Sequence, residues 1–179
     1  MPGNYLFTST RLGFRNWVET DLETFARLNA DPEVMRFFPA PLTREESKAF
    51  MKRLQDQFRT KGYTYFATEL LNKGELIGFI GLLHQDYEAP FTPATDIGWR
   101  LRKEYWGKGY ATEGAKRCLD HAFDELGLYR VVSVCTDLNV ASEQVMRKIG
   151  MQRRGEFEHP ALQDHPRLNP CIWYEVKKT

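Results

Sequence analysis

The stretch with the clearest chemical potential contains two glycines, Gly107 and Gly109, between a predicted strand and a predicted helix. The first N–H groups of a helix lack partners inside it, and with the positive end of the helix dipole they attract anions. Three basic residues, Arg102, Lys103 and Lys108, add positive charge nearby. The stretch therefore predicts a pyrophosphate site, although a plain strand-to-helix turn with a solvated basic cluster explains the same residues.

The glycine spacing excludes two common nucleotide-binding motifs. The chain has neither the Gly-Lys-Ser/Thr of a Walker loop nor the third glycine of a dinucleotide fingerprint. A metal site is not expected either, because the histidines form no His-x-x-x-His pair and the cysteines form no Cys-x-x-Cys. The cysteines are odd in number and widely spaced, which favours free thiols over disulfides. They are Cys118, Cys135 and Cys171.

A second polar segment begins at Asn139 and includes Ser142, directly after another predicted strand. Each residue is a good cap for the helix that follows. Each could instead face a ligand, because open α/β sheets bind ligands beyond the carboxyl ends of their parallel strands. Both interpretations stay open from the residue types alone.

The first third of the chain is predicted to be mostly helical. A strand at 11–17 is followed by a capping box at 20–23 that starts a short helix, and Asp31-Pro32-Glu33 starts another. A second capping box at 43–46 opens a longer helix that ends at Gly62. We therefore expect three helices before the main sheet. Five aromatic residues are expected in the core: Phe37, Phe38, Tyr63, Tyr65 and Phe66.

The rest of the chain alternates between strand and helix patterns. Strands are predicted at 63–71, 75–84, 95–101, 131–135, 152–157 and 171–177, and helices at 107–126 and 141–149. The strand, helix, strand order around the glycines indicates a right-handed parallel crossover. The fold class is therefore α/β with a mixed sheet.

Length and composition limit the function classes. The 179 residues, 42% of them hydrophobic, suit one globular domain spanning 1–179. A net charge of +1 gives no global attraction to nucleic acid, and no apolar run could span a membrane. The first five residues lack the basic and apolar segments of a secretory signal, so we expect a cytoplasmic protein.

Two motifs together resemble the GNAT family of acetyl-CoA-dependent N-acetyltransferases. One is the run Trp-Gly-Lys-Gly-Tyr-Ala-Thr-Glu at 106–113, and the other is Asn-x-x-Ser followed by Lys-x-Gly-Met at 139–151. The nearest resemblance is to the ribosomal-protein alanine N-terminal acetyltransferases, the RimJ/RimL-like branch. The resemblance implies one domain with a mostly antiparallel sheet of about seven strands, helices on both faces and a central, splayed parallel strand pair.

The resemblance also implies where acetyl-CoA binds. Backbone N–H groups from about Trp106 to Ala111 would hold the pyrophosphate, the strand around Trp99 to Leu101 would pair with pantetheine, and Asn139 would hydrogen-bond the pantetheine arm. The implied cofactor-binding residues are Trp99, Arg100, Leu101, Arg102, Trp106, Gly107, Lys108, Gly109, Tyr110, Ala111, Thr112, Asn139 and Ser142.

The implied chemistry is direct attack of an amine on the thioester, without a covalent enzyme intermediate. Asp96 matches the position of a catalytic glutamate in some relatives, and its alternative role is a structural carboxylate. Met146 stands where many relatives have a tyrosine acid, and a thioether cannot donate a proton. Ser142 is the expected substitute, placed near the leaving thiolate.

The acceptor is expected to be a primary amine, most simply a protein N-terminal α-amine. An α-amine of pKa about 7.7 to 8.0 is roughly a tenth neutral at pH 7, so it needs less help from a base than a lysine does. A small-molecule or antibiotic amine is the alternative acceptor, and a CoA-binding module without turnover is the alternative class. The protein is expected to act as a monomer or homodimer, without direct nucleic-acid or membrane partners.

Overall fold

A single mixed sheet organises the chain in the computed structural model, which describes residues 4–178. Residues 1–3, part of the segment used to exclude a secretory signal, lie outside the described residues. The strands are β1 (Phe7–Thr8), β2 (Leu12–Arg15), β3 (Tyr65–Leu70), β4 (Glu75–Gln85), β5 (Ala94–Leu101), β6 (Arg130–Thr136), β7 (Gln152–Phe157) and β8 (Cys171–Lys177). Their order is β1-β2-β3-β4-β5-β6-β8-β7, and only the β5–β6 pair is parallel. The predicted mixed, mostly antiparallel sheet is confirmed, with one strand more than the seven expected.

Four α-helices accompany the sheet: α1 (Leu22–Ala30), α2 (Arg44–Lys61), α3 (Tyr110–Asp120) and α4 (Val140–Lys148). The capping box of α2 is confirmed. The Thr43 hydroxyl accepts the Glu46 N–H at 3.2 Å, and the Glu46 carboxylate accepts the Thr43 N–H at 2.7 Å. The helix ends at Gly62, whose φ of +77° is a left-handed conformation that glycine adopts without strain.

The capping box predicted at residues 20–23 is wrong. The chain enters α1 through a 3₁₀ turn at Glu19–Asp21, where the Asp21 carboxylate accepts the Val18 N–H at 2.9 Å. The Glu23 side chain is not available to cap, because it pairs with Arg44 at 2.6 Å.

The helix predicted from Asp31 is also wrong. The Asp31 carboxylate does accept the Glu33 N–H at 2.9 Å, as a cap would, and one turn forms. The chain then continues in turns and bends to residue 40, because Pro39 and Pro41 supply no N–H groups to extend a helix. Two α-helices, not three, therefore precede β3 in the part of the chain that the structure describes.

Helices cover both faces of the sheet, as expected. α1 and α2 pack through Phe25 and Leu54 against Trp17 and Phe79. On the other face, Ala115, Cys118 and Leu119 of α3 join a larger cluster that includes Ile80 and Ile97. Helix α3 begins three residues later than predicted and continues as a π-helical segment, His121–Glu125. None of the helices within residues 4–178 is long and apolar enough to span a membrane.

The parallel pair separates almost as soon as it forms. Asp96 on β5 is in register with Val132 on β6, and the Ser133 hydroxyl donates to the Ile97 carbonyl at 2.8 Å. Beyond this point β5 pairs with β4 alone and β6 with β8 alone. The divergence opens the sheet at its centre and leaves one edge of β5 unpaired, as the expected splayed pair requires.

Candidate active site

A cleft of about 730 Å³ lies at the divergence of β5 and β6. One half, which we call the donor half, is lined by the loop before α3, by the start of α3 and by one side of α4 with the residue before it. The other half, which we call the acceptor half, is lined by the segment between α1 and α2, by α2, by β3–β5 with the loop between β4 and β5, and by the loop after β7. Donor-half residues include Trp106, Gly107, Gly109, Tyr110, Ala111, Thr112, Asn139, Ser142, Met146 and Lys148. Acceptor-half residues include Arg36, Phe37, Phe38, Phe50, Tyr65, Phe79, Tyr87, Asp96, Arg100 and His159.

An arc of backbone N–H groups at the head of α3 faces the donor half. From Gly107 to Thr112, these groups have no hydrogen-bond acceptor among the described residues, and the first bond within the helix runs from Glu113 to Gly109 at 3.0 Å. Gly107 and Gly109 have φ values of +71° and +79°, which let the chain turn into the helix with its N–H groups exposed. Such an arc is a ready anion site.

Trp106 anchors this loop through its side chain. The indole N–H donates to the Leu101 carbonyl at 2.8 Å, which ties the start of the arc to the end of β5. The residue is 38% exposed and lines the cleft. The family resemblance assigned this position to the cofactor mainly through its backbone, and the structure gives its side chain a separate, structural contact.

The basic cluster predicted beside the glycines is arranged differently. Arg102 pairs with Glu75 and Lys103 with Glu33, each at 2.9 Å, and neither lines the cleft. Lys108 does not line it either. Proximity to the glycines in sequence did not determine the direction of these side chains. Ion pairs with Glu75 and Glu33 hold Arg102 and Lys103 outside the cleft.

Arg11 supplies a cation near the arc that the sequence analysis missed. Its Nη2 lies 3.5 Å from the place where a Cβ on Gly109 would be, and its guanidinium lies 4.3 Å from the centre of the Tyr110 ring. Glu113 holds it at 2.6 Å. Because Arg11 belongs to the N-terminal part of the chain, no local motif pointed to it.

The structure confirms the cap in the segment after β6, and it places Asn139 and Ser142 in the wall of the cleft. The Asn139 side-chain oxygen accepts the Ser142 N–H at 3.2 Å, so Asn139 caps α4. Its amide NH₂ group has no partner among the described residues and remains free to donate. The Ser142 hydroxyl lines the cleft without a hydrogen bond to the described chain, one helical turn before the buried Met146.

Asp96 lies at the point where the strands diverge and is 7% exposed. Burial raises its pKa to about 7, although hydrogen bonds from Tyr65 and Gln85 act in the opposite direction. The Tyr65 hydroxyl donates to Asp96 Oδ1 at 2.6 Å, and burial holds the pKa of this tyrosine well above its usual value. The pair is therefore a neutral donor beside a carboxyl group that exchanges its proton near neutral pH.

Tyr65 was expected in the core and instead lines the cleft. It sits in register with Gly81 on β4, which is in register with Gly98 on β5, and a Cβ on Gly98 would lie 2.9 Å from the Tyr65 hydroxyl oxygen. The absence of a side chain at Gly98 therefore leaves room for the ring to extend along this face of the sheet to Asp96. Phe37 and Phe38 also line the cleft, whereas Tyr63 and Phe66 are buried as expected.

Other expectations meet the structure as follows. Trp99, Arg100 and Leu101 line the cleft. Within the described residues the three cysteines are free, Cys135 being only partly buried. The loop after β7 reaches the cleft through residues such as His159, whereas His165 does not line it. No group of three or more His, Cys, Asp or Glu side chains within residues 4–178 could hold a metal ion.

Comparisons with known proteins agree with this geometry. Residues 11–152 match the family model described as Acetyltransferase (GNAT) domain. The chain is 32% identical over 152 residues to the uncharacterized N-acetyltransferase YnaD of Bacillus subtilis (strain 168), covering 84% of this chain and 85% of that one. It is 29% identical over 145 residues to the spermidine N(1)-acetyltransferase of Escherichia coli (strain K12), covering 78% and 72%.

A solved structure shares the fold. The structure of RimL, a ribosomal L7/L12 alpha-N-protein acetyltransferase in complex with coenzyme A, superposes with a TM-score of 0.75 at 19% identity, covering 96% of this chain and 97% of that one. The family match spans most of the sequence and includes both motifs of the donor half. The chain therefore belongs to the GNAT acetyltransferase family, whose enzymes use acetyl-CoA as the acyl donor.

Proposed function

We propose that this enzyme transfers the acetyl group of acetyl-CoA to a primary amine, and that the amine is the α-amine of a protein N-terminus. The observation that carries the proposal is the arc of unpartnered N–H groups from Gly107 to Thr112, beside the free edge of β5. An arc of this kind suits the pyrophosphate, and a free strand edge suits the amide groups of pantetheine. Asn139 still has an amide NH₂ group to offer that arm.

The reaction needs one bond made and one bond broken. The amine nitrogen attacks the thioester carbonyl carbon, and the negative charge collects on the carbonyl oxygen in a tetrahedral intermediate. The C–S bond then breaks, leaving an amide and the thiol of CoA. In this proposal the proton lost by the amine goes to the Asp96 carboxylate, directly or through water, and the Ser142 hydroxyl donates a hydrogen bond to the leaving sulfur, which takes up its proton from solvent.

The proton chemistry favours an α-amine as the acceptor. With its pKa raised to about 7, Asp96 is roughly half ionised at neutral pH, which makes it a moderate base. An α-amine of pKa about 7.7 to 8.0 presents a useful neutral fraction at that pH, whereas a lysine near 10.4 is almost entirely protonated. The pKa of Asp96 therefore suits the pKa of an N-terminal amine as the proton donor.

The charge of the cleft disfavours polycationic acceptors. Asp96 is the only acidic residue in the cleft wall that the structure describes, while Arg36, Arg100 and Lys148 are cations of the same wall. A polyamine or a polycationic antibiotic would meet net repulsion here. The similarity to a spermidine acetyltransferase is therefore not extended to the substrate of this chain.

We also propose that residues 1–179 form one catalytic domain that acts in the cytoplasm as a monomer or homodimer. The match over 11–152 and the single sheet support one domain. The role of a CoA-binding module without turnover remains the alternative class, because Met146 occupies the position of the usual tyrosine.

A panel of acceptors tests the proposal. Release of CoA thiol is measured with acetyl-CoA and N-terminal peptides, free lysine, spermidine and an aminoglycoside, each at matched concentration. We expect N-terminal peptides to give the highest kcat/KM. Faster turnover of spermidine than of any peptide would contradict the assigned acceptor class. Tight CoA binding with no thiol release on any acceptor would support the binding module instead.

A further inference from the structure

Arg100 is a cation of the acceptor half that has no ionic partner. Its Nη1 donates to the Asn29 side-chain oxygen at 2.7 Å, whereas its buried Nε–H has no hydrogen-bond acceptor. Within residues 4–178 no carboxylate pairs with it. Burial lowers its pKa to about 10, so it still carries its charge at neutral pH.

Aromatic rings take the place of a counter-ion. The Arg100 Cζ atom lies 4.2 Å from the centre of the Phe38 ring, 5.3 Å from that of Phe79 and 5.9 Å from that of Phe50. These rings orient the guanidinium by cation–π contact. They cannot accept the in-plane hydrogen bonds that its remaining N–H groups offer.

Arg15, on strand β2 of the same sheet, is a comparison case: its guanidinium is also largely buried but is paired with carboxylates. Its side chain is 14% exposed and pairs with both Asp21, at 2.7 Å, and Glu69. The hydrogen bonds that Arg15 donates to these two carboxylates, with their negative charge, outweigh the opposing effect of burial and raise its pKa. Leaving a desolvated cation unpaired is costly, so the missing carboxylate at Arg100 calls for an explanation.

We infer that Arg100 binds a carboxylate of the acceptor, so that the preferred acceptor is a primary amine that also carries an acidic group. This inference rests on the proposed acetyl transfer and specifies its substrate. A guanidinium matches a carboxylate with two parallel hydrogen bonds, and both its Nε–H and Nη2 groups are free for them.

The position of Arg100 on β5 suits this role. Asp96, Gly98 and Arg100 alternate along the strand and so share a face. At about 3.3 Å per residue, the backbone positions of Asp96 and Arg100 are roughly 13 Å apart. An amine near Asp96 and a carboxylate near Arg100 therefore need a linking span such as the first residues of a peptide. This span passes over the Tyr65 ring, which lies against Gly98 between the two residues.

The test compares acceptor pairs that differ in one charge. The first arm uses C-terminally amidated tripeptides with aspartate or asparagine at the second or third position. The second arm uses β-alanine and β-alaninamide at equal concentrations of free amine. We expect the acidic member of a pair to have a kcat/KM about 10- to 100-fold higher, as charged hydrogen bonds allow. The arm with the larger ratio identifies a peptide or a small amino acid as the source of the carboxylate.

Variants separate recognition from packing. Arg100→Gln should bring the ratio of kcat/KM for acidic and amide acceptors close to one, and Arg100→Lys should keep part of that ratio. The pairing expected between β5 and pantetheine uses backbone groups, which neither substitution removes. The control is Arg53→Gln, which removes an exposed guanidinium 5.3 Å from the same Phe50 ring and should keep the full ratio. Asn29→Ala should also keep the ratio, because it removes a contact of Arg100 and not its charge.

Two results would overturn the inference without touching the proposed function. One is equal acetylation of acidic and amide acceptors by the unmodified enzyme in both arms. The other is a ratio of acidic to amide kcat/KM that is unchanged in Arg100→Gln. If the glutamine variant does not fold, an unchanged ratio in Arg100→Lys has the same meaning. Absence of acetyl transfer to every acceptor would instead remove the proposed function and, with it, this inference.

Discussion

At the scale of single residues, the proposed chemistry depends on Asp96 and on Tyr65, which donates a hydrogen bond to it. A carboxyl group whose pKa is about 7 can accept a proton from an amine at neutral pH and release it afterwards. Tyr65 stabilises the ionised form with a short hydrogen bond, and because its own pKa is raised it stays protonated. Only the ionised carboxylate can act as a base, so activity should rise as the pH passes through this value.

The Asp96→Asn substitution tests this role. We expect kcat/KM to fall on the order of 100-fold, as for loss of a general base, and the rise centred near pH 7 to disappear. The remaining pH dependence should follow the ionisation of the acceptor amine alone. The measurement is a pH-rate profile from about pH 5.5 to 9, with exposed Asp86→Asn as control. An Asp96→Asn enzyme that retained the same profile would assign Asp96 a structural role.

Ser142→Ala tests the acid side. A thiol with a pKa near 8.5 leaves without strong help, so we expect a kcat loss smaller than the roughly 100-fold of a full general acid. The KM for acetyl-CoA should change little, because the hydroxyl makes no hydrogen bond that builds the donor half. Steady-state kinetics give both constants. Full activity in the variant would leave Ser142 as a lining residue only.

At the scale of elements, the head of α3 and the head of α4 build the donor half by different means. The first exposes backbone N–H groups through two left-handed glycines, and the second presents a capping asparagine with one spare donor group. The sequence could predict the first because glycine spacing is local. The sequence could not decide the role of Asn139, because an asparagine amide can cap a helix and also hydrogen-bond a ligand.

Gly109→Val should raise the KM for acetyl-CoA at least about tenfold, because valine is strained at a φ of +79° and displaces the N–H arc from the pyrophosphate. Gly127→Val is the matched control. Gly127 has a φ of +66° and open space around it, and it lies outside the cleft wall. The control should lose similar stability but keep its KM. An equal KM in both variants would remove the assignment of the arc to the pyrophosphate.

Two substitutions at Asn139 separate capping from binding. Asn139→Ala should cost about 1 kcal/mol of stability through loss of the cap and should also raise the KM for acetyl-CoA. Asn139→Asp keeps an accepting oxygen for the Ser142 N–H and lacks the NH₂ donor, so the melting temperature should hold while KM rises. Thermal unfolding and steady-state kinetics are compared on the same preparations. If Asn139→Asp leaves KM unchanged, capping is the whole role of this residue.

At the scale of the whole molecule, the sequence predicted most of the framework and only part of the site. Hydrophobic periods and glycine stops located β3–β8, α2, α3 and α4 within a few residues. Strand β1 was not predicted, because a strand of two residues is too short to show an alternating hydrophobic pattern. The sequence did not predict the positions of Tyr65 and Arg11 or the lack of an ionic partner for Arg100. Each of these depends on strand register or on contacts between distant segments. Gly98, which faces the Tyr65 hydroxyl, was a sign in the sequence that a large side chain occupies this face of the sheet.

The structure also shows how the nearly balanced charge of the molecule is distributed around the cleft. A net charge of +1 arises from 25 basic and 24 acidic residues, and two cations near the cleft, Arg102 and Lys103, are paired outside it. What remains inside is a small excess of positive charge in the acceptor half and an uncharged N–H arc in the donor half. Such a cleft suits one anionic cosubstrate and an acceptor that is not a polycation.

Transfer of a labelled acetyl group tests the central claim most directly. The enzyme is mixed with acetyl-CoA labelled in the acetyl carbon and an N-terminal peptide, and products are identified by mass spectrometry while free thiol is counted. The account predicts label on the peptide α-nitrogen, one CoA thiol released per acetyl group transferred, and no label on the protein. Bound CoA with no labelled amide on any amine acceptor would contradict it.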